Sequence, residues 1–161
     1  MYLISTKLSI MKTQFLLLLS FLLTTATSFA QKYEYRIVTT VESIVPNGIG
    51  RSRMISSNET RDYKEFTTSR SEEDNSRNAS DRSDIRVKAF DETKLLNFYN
   101  LGGIRFQNIA ANDAVVTSKI NTMMEEGWDL AFVNSAVESD GGKDDGVGIF
   151  ITRYIFKRAK K

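Results

Sequence analysis

The run VGIFITRYIFKR, residues 147–158, constrains the fold of this chain more than any other segment. Successive side chains of a strand point to opposite faces. That alternation sets Ile149, Ile151 and Ile155 on one side and Phe150, Tyr154 and Phe156 on the other. Both sides then need apolar cover, so the segment belongs inside a sheet. Its surroundings must supply flanking strands and something to lie on each face.

Two other segments read as those flanking strands. In KYEYRIVTTVESIV, residues 32–45, Tyr33, Tyr35, Ile37 and Val41 alternate with Glu34, Arg36, Thr40 and Glu42, the pattern of a half-buried strand. WDLAFVNSAVE, residues 128–138, presents Trp128, Leu130 and Phe132 as one face, and SDGGKDDG, residues 139–146, joins it to the last strand as a long hairpin connection. The expected sheet is antiparallel, in the order first, last, middle. The only proline sits in PNGIG, residues 46–50, which separates the first strand from the weaker run RSRMISS and predicts a further hairpin.

Helical periodicity falls between these strands. Val116, Ile120, Met123 and Met124 share one side, Lys119, Asn121 and Glu125 lie largely on the other, Asn112 or Asp113 is the expected N-cap, and Gly127 ends the run. The fold class is therefore α+β, an antiparallel sheet of 3–5 strands with two helices, the main helix at about 113–126 packed on one face. The second helix is expected over residues 92–101, capped by Asp91, striped by Leu95, Leu96, Phe98 and Tyr99, and closed by Gly102 and Gly103. Before it, DIRVKAF (84–90) reads as a short strand; after it, IRFQNIAAN (104–112) reads as an extended connector. The face of the sheet away from the main helix must be covered by the 92–101 helix, by an inserted segment, or by a second subunit. That insertion, at about 58–84, is rich in Ser, Asn, Asp, Glu and Arg and too poor in apolar side chains to offset chain entropy, so it is expected to be flexible.

The first thirty residues carry a different pattern. From Met11, a short positive region at Lys12 precedes the apolar run Phe15 to Leu23 and a small-x-small site, Ser28-Phe29-Ala30, before Gln31. This is the pattern of a signal peptide cleaved after Ala30, leaving a single domain over 31–161. The apolar run is shorter than the ~20 residues that span a bilayer. Lys7 and Lys12 are the only charged residues in the leader, so the mature chain balances its cations and anions. A neutral chain gives no reason to expect nucleic acid as a partner. There is no cysteine, which excludes disulfides, thiolate metal sites and a lipidated Cys, and no histidine, which removes the commonest general base and metal ligand.

At the helix-to-strand junction, Gly127 is expected to supply a left-handed turn, with Trp128 folding back on Met123 or Met124 as a structural hinge. Glu125 and Glu126 sit at the negative end of the helix, where acids are disfavoured unless a cation such as Arg153, Lys157 or Arg158 approaches. A functional acidic patch there is the alternative. Together, YEYRIV, INTMMEEGWDLAFV and the terminal YIFKR resemble the bacterial domain-of-unknown-function 4177 family, over Tyr33 to Val38 and Ile120 to Arg158. The resemblance implies a small antiparallel α+β unit and no activity. The long insertion and the LLNFYNLGGIRFQNIAANDA region depart from the family pattern.

Little chemistry survives. Asp140, Asp144 and Asp145 could offer hard oxygen ligands to a cation, but without the ligand order of an EF-hand they read first as turn residues. No nucleophile elbow, phosphate-binding glycine loop or paired-carboxylate cleft is present. The expectation is a non-catalytic, cofactor-free interaction module of the envelope, periplasmic or extracellular in a Gram-negative-like bacterium, with an unknown protein partner. A self-associating structural envelope protein is the alternative, and a hydrolase using surface carboxylates comes third.

Overall fold

The computed structural model describes residues 12–17, 31–44, 52–138 and 148–160. The chain forms two compact units, one comprising residues up to Tyr33 with Ala159–Lys161, the other Glu34–Arg158. In the first, residues 12–17 are helical (α1) and exposed, and the Lys160 amide donates to the Lys32 carbonyl at 2.8 Å.

The second unit is built on a five-stranded antiparallel sheet. Its strands are β1 (Tyr33–Ser43), β2 (Arg53–Ser57), β3 (Phe90–Lys94), β6 (Asp129–Glu138) and β7 (Ile149–Ala159), in the spatial order β3-β2-β1-β7-β6. A two-stranded hairpin, β4 (Tyr99–Asn100) and β5 (Gly103–Ile104), leads into the main helix α2 (Phe106–Glu125). As its doubly apolar sequence requires, β7 lies between β1 and β6. One face of the sheet packs against α2 in a core of Val38, Met54, Leu95, Met123, Trp128 and Phe156, flanked by Val115, Val116, Ile120 and Tyr154. Each such side chain, fully buried, contributes about 1.5–3 kcal/mol of hydrophobic stabilisation.

The region before α2 differs from the sequence expectation. Residues 84–89 form no strand: Asp84 and Arg86 donate to Asp81 and Ser83 in a turn, and the strand is 90–94 instead. FDETK has poor strand propensity, yet it pairs along β2 from Arg53 opposite Lys94 to Ser57 opposite Phe90, with Arg53 Nε 2.7 Å from Glu92 Oε1. Partners across a sheet outweigh intrinsic preference here. The helix expected at 92–101 does not exist. Its apolar residues are divided: Leu95 enters the core, Leu96 is exposed, and Tyr99 enters the hairpin, where Gly103 takes φ +100° at the turn.

α2 begins at Phe106, not at 113, so the segment read as an extended connector is largely its first turns. Asn112 is no cap; it is buried inside the helix. The apolar stripe in fact starts at Ile109, and a polar residue occupying the next inward slot hid the period. No side chain caps the helix at Arg105. Instead, the Arg105 amide donates to Phe98 O at 2.8 Å, and Asn108 Nδ2 to Asn97 O at 2.9 Å.

β6 also departs from the single face expected for Trp128, Leu130 and Phe132. The register shifts between Leu130, opposite Phe156, and Phe132, opposite Ile155. This β-bulge turns Phe132 away from the Trp128 and Leu130 side, because one extra residue reverses the face of everything beyond it. The PNGIG loop and the 139–146 loop lie outside the described residues.

Candidate functional site

The surface that most needs explanation is the sheet face opposite α2. Alternation assigns it Tyr35, Ile37, Thr39 and Val41 from β1, and Ile149, Ile151, Arg153 and Ile155 from β7. Register adds Arg53 and Ile55 from β2, Phe90, Glu92 and Lys94 from β3, and Phe132, Asn134 and Ala136 from β6. Tyr35 is 60% exposed, Ile37 48%, Phe90 49% and Phe132 65%. Of the three covers that the sequence allows for this face, the 92–101 helix is absent, and the segment 58–84 leaves these side chains in solvent.

The register orders the face into bands. Glu34 pairs with Arg158 at 2.7 Å, and the Ile44 amide donates to Gly148 O at 3.1 Å; counting along the ladder sets Ile37 beside residue 155. One band therefore runs Phe90, Ser57, Ile37, Ile155, Phe132 across all five strands. The next runs Glu92, Ile55, Thr39, Arg153, Asn134. The bulge that re-aims Phe132 completes the first band.

Beneath the other face lies a polar junction that the sequence reading missed. Asn112 Oδ1 accepts from the Leu96 amide at 2.8 Å, while its Nδ2 donates to Leu96 O at 2.8 Å and to Glu42 Oε1 at 2.6 Å. Burial pushes the Glu42 carboxyl above the usual carboxylate range, with the Asn112 hydrogen bond opposing the shift and nearby Asp113 adding to it. Burial likewise raises the Tyr154 hydroxyl. The hydroxyl of Thr40 lies close enough for Tyr154 to feel it, yet neither Thr40 Oγ1 nor Ser43 Oγ has a partner at hydrogen-bond geometry. A signal was available, since an Asn in the inward slot of an apolar helical stripe needs polar company. On the same side, α2 stops short of β2 and β3, leaving a shallow groove among Met54, Thr93, Val115, Ser118 and Thr122.

The residues singled out in the sequence fall elsewhere. Gly127 has φ +83° and closes a Schellman motif: its amide donates to Met124 O at 2.9 Å and that of Trp128 to Met123 O at 3.0 Å. Trp128 is 5% exposed, with the Arg158 guanidinium 4.3 Å and that of Arg36 5.5 Å from its ring centroid. Glu125 and Glu126 are exposed, and the cation that reaches the helix end is Arg158, whose Nη1 donates to Glu126 O at 3.2 Å. Asp140, Asp144 and Asp145 lie outside the described residues. Among the described residues, no group of three or more His, Cys, Asp or Glu could hold a metal ion, and no helix is long and apolar enough to cross a membrane.

No family model, curated protein or solved structure matches the chain.

Proposed function

We propose that this chain is an exported, non-catalytic interaction module of the bacterial cell envelope, which takes a protein partner on its open sheet face. The observation that carries this reading is the exposure of Tyr35, Ile37, Phe90 and Phe132 on one continuous face. Contiguous apolar surface of this kind is costly to leave in water and marks interaction sites. The leader pattern from Met11 to Ala30 supports export. Binding, not catalysis, fits a face whose most exposed side chains are aliphatic or aromatic, whose Glu92 is held by Arg53, and which sets no acid and base around a cleft.

A photo-crosslinking residue placed at Ile37 in the expressed chain tests the proposal. Adducts are expected from Ile37 and not from Asn121 on the outer side of α2. No adduct from Ile37, or equal adducts from both positions, overturns it.

A further inference from the structure

The partner's identity can be taken further, resting on the open-face reading above. We infer that the open face docks against the same face of a second copy of this chain, the strands of the two sheets running in the same direction about a two-fold axis along β1.

Size comes first. Stacked along that axis, β3 and β2 overlap β6 and β7 of the second copy over their five residues each, and β1 overlaps its own copy over its eleven. At about 4.8 Å between strands and ~3.3 Å per residue each face is roughly 490 Å². Two such faces together remove on the order of 1,000 Å² before side-chain relief is counted, at the ~1,000 Å² threshold of a specific interface. Face-to-face packing of antiparallel sheets is an ordinary way to close a core about 10 Å thick.

Charge then chooses the orientation. A two-fold axis in the plane between the sheets, crossing the strands at Thr39, lays Arg153 on Arg153 and Glu92 on Glu92, and like charges face to face oppose association. An axis along β1 instead carries β3 over β6 of the second copy and β2 over β7, with each band on itself. Phe90 then meets Phe132 of the second copy, twice by symmetry, and Glu92, already held by Arg53 of its own chain at 2.7 Å, comes within reach of the second copy's Arg153 as well. Isologous contacts demand this self-complementarity. The bulge at Leu130/Phe132 has a use in this arrangement, since without it Phe132 would point to the α2 side and Phe90 would meet no aromatic.

The absence of cysteine makes the test direct. The purified chain should sediment as a dimer. Ile37→Arg and Arg153→Glu should each raise the dimer dissociation constant by about thirtyfold, as expected for central interface residues. Both positions lie on the open face, and Trp128 emission reports whether each variant is folded. Thr39→Cys should cross-link to itself through a short bis-maleimide, which spans the ~10 Å between packed sheets that a disulfide does not, and Asn121→Cys on the outer side of α2 should not. A mixture of Phe90→Cys and Phe132→Cys chains should give the mixed cross-link that only the along-strand axis allows. A dimer insensitive to Ile37→Arg, or lacking the mixed cross-link, overturns the inference. A monomer at all concentrations whose Ile37 photo-adduct has a mass other than twice the chain overturns the second copy but leaves the interaction surface standing. Loss of every Ile37 adduct removes both.

Discussion

The Arg158 guanidinium lies over the Trp128 indole, 4.3 Å from its centroid, while Nη2 is 2.7 Å from Glu34 Oε1 and Nη1 donates to Glu126 O at 3.2 Å. One side chain thus joins the end of α2, the start of β1 and the corner into β6. Trp128→Ala should destabilise the protein by about 3–5 kcal/mol, the cost of emptying a large aromatic site. Arg158→Ala should cost about 0.5–2 kcal/mol, most of it from the lost contact with the ring, because the half-exposed ion pair with Glu34 is worth only ~0–1 kcal/mol. Chemical denaturation checks both. Trp128 is the only tryptophan, so for Arg158→Ala its emission follows the corner itself.

Gly127 takes φ +83° with only Arg158 Cδ at 3.8 Å from where a Cβ would stand. Space is therefore no obstacle to Gly127→Ala, and the cost is the left-handed backbone alone. We expect about 1–2 kcal/mol of destabilisation. A loss well above this range in a denaturation curve would show that something other than backbone conformation is at stake.

Asn112→Ala should be among the most damaging polar substitutions. It strips partners from both the amide and the carbonyl of Leu96 and leaves the half-buried Glu42 without its donor. With about 1–3 kcal/mol per orphaned group, a total loss of ~3 kcal/mol is expected. Amide exchange at Leu96 should accelerate in step, because that amide has lost its acceptor.

Glu42 should make stability fall as pH rises. Its folded-state pKa is raised, chiefly by burial. Between the unfolded and folded pKa values the native state therefore holds more protons than the unfolded state, and the slope of unfolding free energy with pH is negative. The stabilisation is full below the unfolded value and gone above the folded one. Glu59 and Asp74 are shifted down and drive the opposite slope, so the difference between wild type and Glu42→Gln isolates the effect. Stability of the two proteins measured from pH 4 to 8 should diverge, with the variant gaining relative to wild type as pH rises.

Ser43→Ala should stabilise. Ser43 is fully buried, and its hydroxyl has no hydrogen-bond partner. Removing an unpaired buried hydroxyl should recover about 1 kcal/mol, read as a rise in melting temperature.

What could be read from the chain alone was whatever is carried by a local period. The doubly apolar run at 149–156 demanded a central strand, and β7 is one; Gly127 with Trp128 announced the corner after α2; the absence of cysteine left the core to hold the fold unaided. What only tertiary contact decided is where a local signal was weak or contradicted. FDETK is a strand because β2 supplies its partners, Asn112 occupies an apolar slot because Leu96 and Glu42 satisfy it, and Phe132 faces solvent because a bulge counts one residue twice. Periodicity reports which side of an element is apolar. It cannot report what lies against that side, because burial is a property of pairs of segments far apart in sequence, and the open face of this sheet is the clearest instance.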